Sequence, residues 1–185
     1  MLKKLKTELR IVFKGSASPV TLATLEQLPY LTGCVQECIR LSYGVCSRLQ
    51  RIAPEETLIF NDGKKDGFIS SGTPVGMVSV LVHHNESIFL ESRKFLSERW
   101  IGRPNLLSFS KRTRICIGIN LAYAELYLAL ARNFMSYGSK DVRLETDAGY
   151  LELFETTAWD VELTKDVFIL VGRDGSKVVR ITVKK

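Results

Sequence analysis

Cys116 lies in the stretch Phe109-Ser110-Lys111-Arg112-Thr113-Arg114-Ile115-Cys116-Ile117-Gly118, among cations and just before a long apolar segment. Nearby positive charge and a helix N-terminus favour the thiolate form of a cysteine. The thiolate is the form that serves as a metal ligand. A lone cysteine before a helix is more often a buried structural residue, but the cationic loop reverses that expectation. Phe109 can stack near the sulfur and shield it from water. Gly118 lets the backbone come close, so that its N–H groups tune the sulfur as a donor.

A second constellation is Glu37-Cys38-Ile39-Arg40. Glu and Arg three apart share a helix face, and Val35, Ile39 and Leu41 make that helix apolar. Part of the pair is therefore expected to be buried, and a buried guanidinium needs further partners for its donors. Glu98-Arg99-Trp100 can supply one. Arg48 and Arg51 follow, three apart on an expected strand, where two exposed strand-face cations are the reading from the residues alone.

The elements that must position these residues read as follows. Leu2 to Phe13 is an amphipathic helix with Leu2, Leu5, Leu9, Ile11 and Val12 as its apolar content, ended by the run from Gly15 to Pro19. Thr21 to Leu28 is a short second helix. Pro29 suits the first turn of a third, running to about Tyr43 and stopping at Gly44. Strand character marks Val45 to Ile52, Thr57 to Phe60, Gly67 to Ile69 and Val75 to Val80. Periodicity fades from Asn85 to Ser108, apart from a helical turn near Glu91 to Phe95. Gly118 to Met135 is the strongest helix, with Leu121, Ala124, Leu128 and Ala131 on one apolar face. The tail reads as strands, with Phe168–Gly172 and Lys177–Val183 paired across an Arg173-Asp174-Gly175-Ser176 turn.

At 185 residues the chain suits one domain, enough to bury roughly 70% of its unfolded surface. Its 45% hydrophobic and 25% charged content is ordinary for a globular protein, which argues against disorder. The net charge of +6 fits a solvated surface or a docking face for an acidic partner. No basic helix with aromatic interleaving supports nucleic-acid binding. No apolar run reaches the ~18 residues of a membrane span, and the N-terminus lacks the apolar core of a secretory signal. Cys34, Cys38 and Cys46 read as small buried hydrophobes of a reducing compartment. No C-x-x-C pair exists, so zinc is not expected. His83 and His84, on an extended segment, would point to opposite faces and make a poor metal pair.

The cysteine stretch resembles the haem-binding loop of the cytochrome P-450 family, F-x-x-G-x-R-x-C-x-G. Phe109, Arg114, Cys116 and Gly118 match, while Arg112 stands where the pattern has glycine. Glu37 and Arg40 match the family's helix E-x-x-R. Arg99 matches the arginine of its downstream P-E-R-F-like motif, with Ser97 where proline is common. The order of the motifs resembles the family over nearly the whole chain: E-x-x-R helix, arginine-bearing strands, a His-containing segment, E-R-W, cysteine loop, long helix, terminal β-hairpin. The wording of the helices looks like filamentous-fungal members, including those of secondary metabolism.

The resemblance implies an α+β chain: the C-terminal portion of the mainly helical cytochrome P-450 fold, with residues 1–185 a partial domain. The N-terminal half, including the oxygen-activating helix, is expected to be absent. The implied cofactor is haem (heme iron with an axial thiolate), with Cys116 as the ligand, Arg51 and Arg114 on the propionates, and Phe109 and Gly118 in the loop. Glu37, Arg40 and Arg99 would be structural, and no residue of this chain would itself be catalytic. The implied full enzyme is a monooxygenase. It would take electrons from a flavoprotein reductase docked near Lys111 and Arg112, and insert one atom of O₂ into a small apolar organic substrate. Full-length members would sit on the cytoplasmic side of the endoplasmic reticulum, and this chain, lacking an anchor, in the cytoplasm. The fragment alone is expected to be inactive. The alternative is a non-enzymatic remnant or interaction module that binds no haem.

Overall fold

The computed structural model describes residues 1–15, 20–101 and 106–185. Beyond Gly15, the helix-breaking run at 15–19 lies outside them. Three helices open the chain: α1 (Leu2–Gly15), α2 (Leu22–Glu26) and α3 (Pro29–Leu41). Thr21 caps α2 by accepting from the Thr24 amide. Pro29 opens α3, and its next two amides, Tyr30 and Leu31, donate to the Glu8 carboxylate of α1 at 2.9 and 2.8 Å. One carboxylate thus caps a neighbouring helix and sets the angle between the two.

Four strands follow. β1 (Leu49–Ile52) pairs antiparallel with β4 (Pro74–Met77), and β2 (Leu58–Asn61) with β3 (Asp66–Ile69). The fourth strand ends earlier than its sequence predicts, because Ser79–His83 is a helix, α4. His83 and His84 are therefore the end and cap of a helix, not alternating residues of an extended segment. A 3₁₀ turn at Ser97–Trp100 leads towards the cysteine loop.

The long helix α5 (Ile119–Ser136) forms as expected, but its packed face is rotated from the expected one. Tyr127 and Ala131 are buried, flanked by the partly buried Tyr123, Leu126, Leu130 and Phe134. Leu121 and Leu128 face outward instead. The helix is apolar almost all round, so periodicity alone selects no stripe. The bulky tyrosines fill the space against α3, where Tyr127 donates to the Thr32 hydroxyl at 2.8 Å. The core joins α1, α2, α3 and α5 through Leu5, Leu9, Leu25, Leu31, Val35 and Ile39.

In the tail, β5 (Tyr137–Gly138) lies parallel to β6 (Gly149–Leu153), which pairs antiparallel with β9 (Ile181–Lys184). β7 (Lys165–Val167) pairs with β8 (Ile169–Val171). The expected hairpin between Phe168–Gly172 and Lys177–Val183 does not form. Its turn does, with the Ser176 amide donating to Arg173 at 3.1 Å. A turn reverses the chain without choosing the partner strand. Here Gly149 offers β9 a close approach, since a Cβ there would stand 2.3 Å from the Lys184 carbonyl.

Candidate functional site

Glu37 and Arg40, three apart on α3, are both fully buried. Arg40 Nε and Nη2 donate to Oε2 and Oε1 of Glu37, each at 2.8 Å. The remaining N–H groups reach the carbonyls of His83 (2.8 Å), Ser92 (2.6 Å) and Lys94 (3.2 Å). Every donor of the guanidinium is thereby used, and its plane lies over the Phe89 ring. Arg99 Nε donates to Glu37 Oε1 at 3.0 Å, joining the third residue to the same carboxylate. The Leu96 amide and the Trp100 indole N–H also donate to it, at 3.0 and 2.8 Å. Burial alone would raise the Glu37 pKa. The bonds from Arg40, Leu96 and Trp100 outweigh it and hold the carboxyl below its usual range.

A close backbone approach makes this convergence possible. A Cβ at Gly33 would stand 2.5 Å from the Ser97 carbonyl. Only glycine therefore lets the Ser97–Trp100 turn lie against α3 with Arg99 and Trp100 facing Glu37.

The cysteine loop lies between α4 and α5. The Ser110 amide donates to Leu107 and the Cys116 amide to Phe109, each at 2.9 Å. Ser110 and Arg112 both take left-handed backbone angles, φ 62 and 59°, a region that costs a residue with a Cβ about 1–2 kcal/mol. Cys116 is exposed. Its sulfur opens onto a cleft of ≈ 400 Å³ walled by Ile39, Val45, Leu49, Phe109 and Leu126, with Arg114 on the lining. Gly118 precedes α5 with ordinary angles. A Cβ there would meet only the Cys116 sulfur, at 3.9 Å, so the glycine leaves open space beside the thiol.

Arg51 lines an adjoining cleft of ≈ 390 Å³ with Lys111 and Arg112, Leu49 and Ser110 being common to both. Its guanidinium donates to Ser110 Oγ at 3.0 Å and to the Gln50 carbonyl at 2.8 Å. Arg51 and Arg114 thus stand on neighbouring clefts, not one. Arg48, Arg112 and Arg114 form no ion pair among the described residues.

Sequence reasoning missed three contributors. Trp100 was visible only as part of E-R-W. His83 is buried, with its Nε2 accepting from the Leu107 amide at 3.2 Å. Lys6 is buried and donates to Asp147 (2.9 Å) and to the carbonyls of Phe134 (2.9 Å) and Tyr137 (2.8 Å) at the end of α5. The signal for Lys6 was its place within the Leu2, Leu5, Leu9 stripe of α1.

A family model described as cytochrome P450 matches residues 1–144. The chain belongs to the cytochrome P450 family. Curated relatives in the family include cytochrome P450 monooxygenase tpcC of Cochliobolus heterostrophus, 48% identical over 189 residues, covering 99% of this chain and 36% of its own length. Cytochrome P450 monooxygenase astB of Talaromyces wortmannii is 47% identical over 193 residues, covering 99% of this chain and 39% of its own length. N-acetyltryptophan 6-hydroxylase ivoC of Emericella nidulans is 38% identical over 172 residues, covering 88% of this chain and 30% of its own length. The chain therefore spans under two fifths of the length of these P450 relatives. Among the described residues no helix is long and apolar enough to cross a membrane.

Proposed function

We propose that residues 1–185 are a partial P450 domain that supplies the thiolate side of a haem monooxygenase. The observation that carries this reading is Cys116 open to an apolar-walled cleft with Arg114 on its lining. The donor set fits the cofactor that the family implies. A soft thiolate suits iron, apolar walls suit a flat macrocycle, and unpaired arginines suit its carboxylates bidentately. The space beside the sulfur at Gly118 is consistent with a bulky group there. Bound at this thiolate, haem supplies O₂ activation, favoured by electron density from the sulfur.

The chain's own residues then have distinct tasks. Cys116 would hold the iron, with its amide donating to the Phe109 carbonyl. Arg114 and Arg51 would hold the propionates. Phe109, tilted against Tyr123 at 5.5 Å between centroids, forms an apolar wall of the cleft that Cys116 lines. Glu37, Arg40 and Arg99 hold the scaffold behind the loop. The exposed Lys111 and Arg112 offer positive charge to an acidic flavoprotein reductase. Together with the remainder of a full-length protein, the assembly would oxygenate a small apolar organic molecule. On its own the chain is inactive, because Cys116 stands exposed to water.

Titration of the purified chain with haem tests this. The expected result is a Soret band of thiolate type that is lost in Cys116→Ser. A colourless chain, or the same spectrum in Cys116→Ser, would overturn the haem reading in favour of a module that binds none.

A further inference from the structure

The carboxylate network on α3 and the cysteine loop are separate in sequence. His83 is one residue that joins them. The His83 carbonyl accepts from Arg40 Nη1 at 2.8 Å. Its ring Nε2 accepts from the Leu107 amide at 3.2 Å. From Leu107 the backbone turns, with the Ser110 amide donating to Leu107 and the Cys116 amide donating to Phe109. A second tie of this first loop turn to α3 is the Ser108 hydroxyl, which donates to the Ile39 carbonyl at 3.2 Å.

We infer that His83 is a positioning residue: its neutral ring Nε2 anchors the start of the cysteine loop and so sets where Cys116 stands relative to the Glu37–Arg40 network. Three observations support this. The ring is 2% exposed, so no water competes freely for Nε2. It meets the Phe89 ring edge-on, with centroids 5.8 Å apart, and Phe89 in turn packs on Trp100, so its orientation is held from the network side. The anchored amide precedes two residues with left-handed angles, Ser110 and Arg112. Such angles persist only where the surroundings over-determine them, and the bond to His83 is a constraint just upstream of them. The significance for a haem site rests on the function proposed above. The anchoring itself does not, and its test needs no cofactor.

Two variants of equal length separate hydrogen bonding from packing. In His83→Gln the side-chain amide oxygen can reach the place of Nε2, whereas His83→Met fills similar space without a good acceptor. Amide hydrogen exchange on the full 185-residue chain is read at Leu107, Cys116 and Leu96. Leu96 donates to Glu37 and reports on the network alone. The expected result is a loss of about tenfold in protection at Leu107 and Cys116 in His83→Met, as a part-buried donor loses its acceptor. Leu96 should stay at the parent level, and His83→Gln should restore Leu107 and Cys116. Equal protection at Leu107 and Cys116 in His83→Met and the parent would overturn the inference. So would a parallel loss at all three amides, failure of both variants to fold, or a His83→Gln as damaged as His83→Met. None of these outcomes depends on whether Cys116 binds haem, so failure of the anchor and failure of the proposed function remain distinguishable.

Discussion

The indole N–H of Trp100 points at Oε2 of Glu37 from 2.8 Å, across 63 residues of chain. This bond gives Oε2 its second donor beside Arg40 Nε, while Oε1 accepts from Arg40, Arg99 and the Leu96 amide. The carboxylate is thus saturated, and the charge it carries is compensated at close range. That is the condition under which a buried ion pair is tolerated at all. Trp100→Phe retains most of the ring and loses the donor. A destabilisation of about 1–3 kcal/mol is expected, read as an earlier urea midpoint with an unchanged slope. An unaltered midpoint would mean the bond contributes nothing.

Glu37→Gln removes the charge that Arg40 and Arg99 both use. Stranding a buried guanidinium costs about 3–5 kcal/mol, a large part of the ~5–15 kcal/mol of a typical domain. Insoluble or molten protein is expected. A cooperative thermal transition within about a degree of the parent would contradict the network's role.

Arg112 holds φ 59° in the cysteine loop. Glycine there relieves about 1–2 kcal/mol of left-handed strain and returns about 0.4–1 kcal/mol through a freer unfolded chain. Arg112→Gly should leave stability level or slightly raised and, for the haem site proposed above, increase retention by relieving the left-handed strain in the loop. Parallel haem titrations decide it: equal or weaker binding by the glycine variant shows that Arg112 is tolerated.

Acid should weaken the fold in two stages. Burial, and then the nearby Arg40 charge, push the His83 pKa down to about 4, despite an opposing backbone hydrogen bond with Arg40. The unfolded chain takes up a proton near 6.5 and the folded chain only near 4. Stability is therefore full above 6.5 and falls as pH drops towards 4, by about 3 kcal/mol in all. Glu37, with its folded pKa lowered, adds a loss at lower pH, as its carboxylate is protonated. In His83→Gln the decline between 6.5 and 4 should flatten while the lower stage remains. Denaturation midpoints at half-unit pH steps measure both stages, and an identical slope in parent and variant would exclude His83 as the source.

Lys6 and Asp147 form a second buried pair, with Lys6 also satisfying two carbonyls at the end of α5. Lys6→Met leaves Asp147 buried without its cation and should cost about 3–5 kcal/mol. Adding Asp147→Asn should recover part of that loss, since the charge is gone. A double-mutant cycle in thermal melts gives the coupling, and strict additivity would show that the two act independently.

Near-neighbour chemistry was legible in the residues themselves. The spacing of Glu37 and Arg40 puts them on one face of an apolar helix, Pro29 marks its first turn, and the length of α5 is plain in its run of apolar residues. The cysteine loop was recognisable because its pattern is contiguous. These features follow from periods of a few residues, set by backbone hydrogen bonding within one element. The tertiary structure alone decided what depends on shape at a distance. It chose Trp100 as a donor to Glu37, through the gap left at Gly33. It placed His83 in a helix beneath the loop, not on an extended strand. It turned the tyrosine face of α5 inward in place of Leu121 and Leu128. It paired the tail strands with partners other than each other, and it drew Lys6 into the interior. A helix apolar on several sides, or a strand beside a good turn, has several comparable local solutions. Side-chain volume and the obligation to satisfy each buried polar group select among them.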